Sequence, residues 1–199
     1  RPFRPLLFLG ALYHDTGKPE TFQEDPNGRM RFLHHEKIGG SLVSLRSQAL
    51  QLSNPEIERV KKIVRNHMRP ILLAMTEGEL TRRAVYRFFR DTGPSGVDVS
   101  ILSLADVAGT YGPSLPQEMW IRQVQVVRRL LQAYWEEWKD LISPPPIVKG
   151  RDLLEALNLT EGPIIGNLLE AIREAQAEGK IKDRLQAIEY ARSLLDGYG

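Results

Sequence analysis

Cysteine is absent from the 199 residues of this sequence. Its absence excludes disulfides, zinc sites built on thiolates and a cysteine nucleophile, and it is typical of proteins that stay in a reducing cytoplasm. Histidine is scarce as well, with four residues, so a site that needs imidazole groups has few candidates. We therefore predict a cytoplasmic protein and look to its histidines and carboxylates for chemistry.

Long apolar runs and a strong net charge are also missing. No apolar stretch approaches the roughly 20 residues that cross a bilayer, so we expect no membrane partner. The formal net charge is +2, from 27 basic and 25 acidic residues, and it neither indicates nor excludes nucleic acid. Apolar residues make up 42% of the chain, enough to predict a folded domain with a core.

Helical spacing of apolar residues runs through most of the chain, and the β-strand signal is negligible. The sequence therefore predicts an all-α fold. Ser53 and Pro55 are typical of a helix start, and Pro70 predicts the end of that helix. The predicted helices cover residues 5–15, 34–52, 55–68, 81–91, 98–110, 117–142, 151–157, 163–178 and 183–195, and a loop covers 16–33.

The predicted helix over 117–142 carries an apolar seam at alternating steps of four and three residues. Core packing is the interpretation we favour for this seam, and a homodimer interface is the alternative. The seam consists of Trp120, Val124, Val127, Leu131, Tyr134, Trp138 and Leu141.

Three consecutive prolines in "SPPPIVKG" predict a linker over residues 143–150, because proline cannot continue a helix. The linker divides the chain into a main domain over 1–142 and a small C-terminal helical tail over 151–199. Since the sequence begins at Arg1 without methionine and enters a helix at once, we expect it to be a piece of a longer protein, with its main domain truncated at the N-terminus.

Five residues attract attention as metal ligands. His14 and Asp15 are adjacent, His35 and His67 lie near predicted helix ends, and Asp106 lies inside an apolar helix, where a carboxylate is costly to bury unpaired. Singly, each has an ordinary explanation: a carbonyl-bonded histidine, a surface histidine or a paired core carboxylate. Together, imidazole and carboxylate groups favour a divalent metal, and two ions about 4 Å apart hydrolyse phosphoesters.

Four motifs carry a family resemblance: "LYHDTGKPETF", "RFLHHEKIGG", "IVRNHMRP" and "LSLADVAG", in this order. They resemble the HD superfamily of metal-dependent phosphohydrolases, and within it the HD region of bacterial tRNA nucleotidyltransferase and poly(A) polymerase-like proteins. The tail from Gly150 to Ile181 resembles the C-terminal segment of the same proteins. The resemblance implies a helical HD-domain bundle over 1–142.

By position, the resemblance makes His14, Asp15 and Asp106 metal ligands. In members with two metals, His35 and His67 hold the second ion and Asp15 bridges the pair. The implied cofactors are one or two divalent ions: Mg, Mn, Ni, Fe or Zn. The family places a further histidine ligand upstream of the His-Asp pair, and no histidine precedes His14 here.

Basic residues supply candidates for phosphate contacts. Lys18 follows the pair as in the family, and it joins Asp15 as a predicted catalytic residue. Arg65 and Arg69 flank His67 and are predicted to bind phosphate. Three further arginines, Arg83, Arg87 and Arg90, share one face of the helix over 81–91, and we interpret them as a solvated face with carboxylate partners.

Two functions follow from the resemblance. The first is hydrolysis of a phosphomonoester or cyclic phosphodiester on a nucleotide or an RNA end. The second is an RNA-binding body for tRNA, with an auxiliary or inactive metal site. In the relatives, nucleotide addition belongs to an N-terminal catalytic domain, and we expect such a domain, if present, in the longer protein.

Overall fold

A computed structural model describes residues 3–196, which form two compact units. The first unit contains the chain up to Glu79 together with Asp91–Leu131, and the second contains Leu80–Arg90 and the chain from Gln132 onward. Both units are built almost entirely of helices, which confirms the predicted all-α fold with a C-terminal helical tail. The predicted division into a domain over 1–142 and a tail over 151–199 stays a prediction.

Helices form most of the first unit. They are α1 (Phe3–Tyr13), α2 (His35–Ala49), α3 (Asn54–Asn66), α4 (Arg69–Met75), α6 (Gly96–Tyr111) and the first part of α7 (Gln117–Glu136). Helix α5 (Arg82–Thr92) lies mostly in the second unit, with α8 (Gly150–Leu157), α9 (Pro163–Ala177) and α10 (Arg184–Asp196). None of the helices between residues 3 and 196 has the length and apolarity that a membrane crossing requires.

The core of the first unit lies where α1, α2 and α3 meet. Leu6, Val43, Val60 and Val64 are buried there. Helix α1 approaches α3 closely because Gly10 has no side chain: a β-carbon at this position would stand 2.6 Å from Cγ2 of Ile63. This close packing brings the end of α1 next to the helix ends that carry the candidate ligands.

The start of α3 follows the predicted pattern. The amide of Ser53 donates a hydrogen bond to the carboxylate of Glu56 at 2.8 Å, and Pro55 occupies the first turn. Helix α3 ends at Asn66, close to the end that Pro70 predicts, and Pro70 itself belongs to the next helix. It lies in the first turn of α4, where proline is tolerated because the amide there needs no intrahelical partner.

The predicted loop over 16–33 contains regular structure. Pro19–Thr21 forms a 3-10 turn, and strands β1 (Phe22–Glu24) and β2 (Met30–Phe32) pair antiparallel. Strands of three residues are too short to show a period of two, so the sequence pattern did not reveal this hairpin.

The predicted helix over 117–142 ends earlier than expected. Helix α7 stops at Glu136, and residues Trp138–Ile142 form a π turn. The predicted seam is also partly wrong, because Val124 is 37% exposed. The buried residues of α7 are Gln123, Val126, Val127, Leu130 and Ala133. The homodimer alternative stays a prediction.

The second unit buries the apolar residues of α5 and of the tail. Tyr86, Phe88 and Phe89 are buried on α5, and Leu153, Leu168 and Ile172 belong to the core of the tail. The segment over 143–150 lacks a regular helix before Gly150, as its prolines predict. It is nevertheless packed, because Val148 belongs to the tail core and the Pro145 carbonyl accepts a hydrogen bond from Gln176 at 2.8 Å.

Arginines of α5 pair with carboxylates of α9. Arg87 donates two hydrogen bonds to Glu174, both at 2.8 Å, Arg83 also bonds to Glu174, and Arg90 reaches Glu170 at 3.2 Å. The interpretation of this arginine face as one with carboxylate partners is confirmed.

Candidate metal centre

Three helix ends and the interior of a fourth helix in the first unit bring the five predicted ligands together. His14 and Asp15 directly follow α1, His35 is the first residue of α2, and His67 directly follows α3. Asp106 lies within α6. Residues at helix ends project from different directions onto one point, which explains how positions so far apart in sequence share one site. Their roles as ligands stay a prediction.

Asp15 occupies the centre of the group. Its Oδ1 lies 3.3 Å from Nε2 of His35 and 3.8 Å from Nε2 of His67. Its Oδ2 lies 3.4 Å from Nε2 of His14, and that same nitrogen lies 3.5 Å from Oδ1 of Asp106. One ligand atom each from Asp15, His35 and His67 lies within 4.8 Å of the others, a spacing that can hold a metal ion.

The three histidines share one orientation. In each, Nδ1 hydrogen-bonds to the backbone carbonyl three residues earlier in the chain. Because a carbonyl only accepts, Nδ1 carries a hydrogen, and in the neutral ring Nε2 is left with a lone pair directed into the group. The pairs are His14 with Ala11 at 2.6 Å, His35 with Phe32 at 2.8 Å and His67 with Val64 at 2.7 Å.

Two of these Nε2 atoms face each other. Those of His35 and His67 lie 3.2 Å apart, and both rings are buried. The Asp15 carboxylate raises the pKa of His35, whereas burial lowers the pKa of His67. The Nε2 atoms of two neutral imidazoles at this separation are donors that one divalent ion could take as ligands.

The histidines of the site interact with the carboxylates of Asp15 and Asp106. Hydrogen bonding to Asp106, and then to Asp15, raises the pKa of His14 to about 10. Burial works against ionisation of Asp15, but hydrogen bonds from His14, His35 and Lys18 hold its pKa well below the usual range. His14 likewise lowers the pKa of Asp106. The site thus holds two ionised carboxylates that need cationic partners.

A cavity of about 550 Å³ opens over this group. We call it the His-Asp cavity; its wall includes Asp15, Lys18, Arg29, Arg31, His35 and Asp106. The ammonium of Lys18 lies 2.5 Å from Oδ2 of Asp15. Arg29 and Arg31 were not predicted as site residues, and the hairpin brings them to this wall. The alternation of basic residues around Met30 is the sequence pattern that could have indicated them.

Arg65 and Arg69 line a different cavity, although both flank His67 in sequence. Arg69 pairs with Asp91 at 2.9 Å. The neighbouring His34 has a side chain that is 70% exposed.

Glycine shapes the approach between the two motifs that carry Asp15 and His35. A β-carbon at Gly17 would overlap the carbonyl oxygen of His35 and stand 2.7 Å from the amide nitrogen of Gly39. The loop after the His-Asp pair can therefore lie directly on the first turn of α2.

The helical fold and the cluster of histidines and aspartates define a class of protein. The HD domain family matches residues 1–108, and the chain belongs to this family. It is 34% identical over 180 residues to a CC-adding tRNA nucleotidyltransferase of Thermus thermophilus. The matched region covers 90% of the chain and 38% of that protein.

Two further relatives carry related names. An A-adding tRNA nucleotidyltransferase of Deinococcus radiodurans is 34% identical over 183 residues, 91% of the chain and 40% of that protein. A CC-adding tRNA nucleotidyltransferase of Synechocystis is 29% identical over 147 residues, 74% of the chain and 32% of that protein. The chain thus spans at most two fifths of the length of these relatives.

Proposed function

We propose that this chain is a metal-dependent phosphohydrolase domain within a tRNA nucleotidyltransferase-like protein. Its substrates are phosphomonoesters or cyclic phosphodiesters of nucleotides or RNA ends. The observation that carries the proposal is the position of Asp15, whose two oxygens lie 3.3 to 3.8 Å from the Nε2 atoms of three histidines. A core packed for stability alone has no need of this convergence.

Each ligand-type residue has a task in this proposal. His35 and His67 would hold one divalent ion, His14 and Asp106 a second, and Asp15 would bridge them. Ions held there supply Lewis acidity, which lowers the pKa of water and neutralises charge on a phosphoryl group. The low pKa of Asp15 keeps it a carboxylate, so it serves as a ligand and not as a proton donor. The backbone carbonyls behind the rings keep Nε2 directed inward.

Lys18 would hold the substrate. Its ammonium lies 2.5 Å from Asp15 at the cavity wall, and a flexible stem lets it turn from that carboxylate to a phosphate oxygen. Asp15 and Lys18 are therefore the residues to which we assign catalysis. The cation itself is one of Mg, Mn, Ni, Fe or Zn.

Hydrolysis of bis-p-nitrophenyl phosphate with added Mn²⁺, Ni²⁺ or Mg²⁺ tests this function, together with 2′,3′-cyclic nucleotides. We expect turnover that needs the metal and falls at least about a hundredfold in Asp15→Asn. Asp140→Asn, an exposed aspartate outside the site, is the matched control and should retain activity. Absence of metal-dependent turnover in the wild-type chain with every metal and substrate would contradict the proposal.

A second function has an observation of its own. The similarity to tRNA nucleotidyltransferases extends over about nine tenths of the chain, so it includes the tail beyond the metal site. The chain would then bind tRNA with an auxiliary metal site. Gel-shift binding of tRNA by the Asp15→Asn protein at several salt concentrations tests this function. A cytoplasmic location and a homodimer belong to the same set of proposals.

A further inference from the structure

A second cavity lies beside the His-Asp cavity in the same unit. It encloses about 480 Å³, and we call it the Arg65 cavity. Four residues line both cavities: Phe32, Leu33, His35 and Met68. The two cavities therefore share a wall, and a ligand with two linked groups could place one group in each.

Apolar side chains form part of the lining of the Arg65 cavity. Leu33 is 55% exposed and Leu72 is 57% exposed, and Met68 also lines the cavity. Exposed apolar side chains are common singly, but here they gather on a concave surface beside a polar site. Such a surface suits the flat face of a nucleobase, which stacks on apolar and guanidinium groups alike.

Basic side chains form another part of the lining. Within residues 3–196, no ion pair or side-chain hydrogen bond engages Lys37 or Arg65, although both line the cavity. Arg69 is held by Asp91. An arginine and a lysine without protein partners are ready to take a phosphate, and a guanidinium can do so with two parallel hydrogen bonds.

Polar groups that could read a base edge complete the lining. Asn66 donates its amide hydrogen to the Lys62 carbonyl at 2.9 Å, which leaves its side-chain oxygen as an acceptor. Glu36 adds carboxylate acceptors. Acceptors of this kind take hydrogens from the exocyclic amino groups of adenine or cytosine.

From these contacts we infer that the Arg65 cavity binds a nucleoside monophosphate unit next to the phosphate processed in the His-Asp cavity. Arg65 and Lys37 hold its phosphate, and Leu33, Met68 and Leu72 receive its base. The assignment of the neighbouring phosphate rests on the proposed function, whereas nucleotide binding in the Arg65 cavity does not. The site would then favour a dinucleotide or longer chain over a small phosphoester.

Nucleotide binding in the absence of metal tests whether the Arg65 cavity binds a nucleoside monophosphate unit. Adenosine 5′-monophosphate is titrated into the full chain in EDTA and followed by NMR or calorimetry, beside adenosine and inorganic phosphate. We expect the nucleotide to bind at least about tenfold more tightly than either part, because the apolar and the basic groups of the lining both contribute. Arg65→Gln should weaken it about tenfold, and Leu72→Ala about threefold.

Arg46→Gln is the matched control, since Arg46 is an exposed arginine on α2 that lines neither cavity. Nucleotide binding that appears only with Mn²⁺, or that Arg65→Gln and Leu72→Ala leave unchanged, overturns the inference. Because these measurements need no turnover, they stand even if the protein proves not to hydrolyse phosphoesters.

Substrate selectivity tests whether this nucleotide unit lies next to the phosphate processed in the His-Asp cavity. The measured quantity is the ratio of kcat/KM for a dinucleotide ending in a 2′,3′-cyclic phosphate to kcat/KM for bis-p-nitrophenyl phosphate. Arg65→Gln should lower this ratio about tenfold, and Arg46→Gln should not change it. An unchanged ratio in Arg65→Gln, in a protein that hydrolyses both substrates, overturns the link between the two cavities.

Discussion

Gly17 lies directly against the backbone of His35, so that a β-carbon at position 17 would overlap the His35 carbonyl oxygen. We expect Gly17→Ala to push the His-Asp loop away from α2, because backbone atoms cannot move aside as a flexible side chain can. The free energy of unfolding should fall by about 1–3 kcal/mol, and metal affinity should fall with it. Urea unfolding and calorimetric titration with Mn²⁺ measure the two effects.

Gly166→Ala is the control for this substitution. Gly166 lies inside α9, and a β-carbon there meets no described atom within 4 Å. Alanine should raise stability there by about 0.5–1 kcal/mol through helix propensity and leave metal affinity unchanged. If Gly17→Ala retained full metal affinity, the close approach would not position Asp15 against His35.

Metal binding should depend on His67 and not on His34. With excess Ni²⁺ or Mn²⁺ we expect the melting temperature of the wild-type chain to rise, since a ligand at a hundred times its Kd contributes about 2.7 kcal/mol. His67→Asn should abolish the rise, because it removes a buried Nε2 from the group around Asp15. Removing the metal with EDTA should reverse the rise in the wild-type protein.

His34→Asn makes the same substitution at an exposed histidine. His34 has a left-handed backbone with φ of 65°, which asparagine also tolerates, so the control should fold normally. A metal-induced rise that persisted in His67→Asn, or that vanished in His34→Asn, would place the metal elsewhere.

Lys18→Gln should separate substrate binding from metal binding. The Lys18 ammonium lies beside Asp15, so its removal takes away a cation that competes with the metal for this carboxylate. Metal affinity should therefore stay equal or rise, while KM for a phosphoester rises about tenfold through loss of a phosphate contact. Lys139→Gln, on the exposed side of the π turn, is the control. Weaker metal binding in Lys18→Gln would instead make Lys18 a support of the metal site.

The second unit should lose stability in acid through Glu174. Burial opposes ionisation of this carboxyl, but hydrogen bonds from Arg87 and Arg83 outweigh it and lower the pKa below its ordinary value of about 4.5. Ionised Glu174 therefore stabilises the fold above that value, and the contribution disappears as the pH falls through the lowered pKa. Glu174→Gln should cost about 1 kcal/mol at pH 7 and progressively less below pH of about 4.5.

Unfolding in urea at several pH values measures this difference. Glu161→Gln, at an exposed glutamate, should change stability little at any pH. An effect of Glu174→Gln that grew as the pH fell would contradict the assignment, because the sign would then be that of a carboxyl with a raised pKa.

Much of the helical fold could be predicted because its signals are local. Ser53, Pro55 and Glu56 form the start of α3 with hydrogen bonds that span only three residues. Other boundaries depend on surroundings. Apolar spacing continues through Trp138 and Leu141, yet the backbone leaves the α-helical conformation at Glu137, and nothing in the spacing marks that change.

The candidate site shows the same division. Its residue types and their order could be predicted, since His14, Asp15, His35, His67 and Asp106 lie in four short motifs that follow one another along the chain. The basic residues that line the His-Asp cavity could not be predicted from the sequence. Arg65 and Arg69 flank His67 by two residues, but the helix end and turn direct them to a separate cavity, whereas the distant Arg29 and Arg31 reach the wall of the His-Asp cavity through a hairpin.

The sequence by itself determined the helical class, the family and the set of groups that can hold a metal, because these depend on composition, periodicity and short motifs. Only the tertiary structure decided that Asp15 stands between the rings of His14, His35 and His67, and that the Arg65 cavity shares a wall with the His-Asp cavity. The physical reason is that distances between side chains from separate helices depend on close packing, such as that of Gly10 on Ile63 and Gly17 on His35. Such packing has no signature within a short stretch of chain.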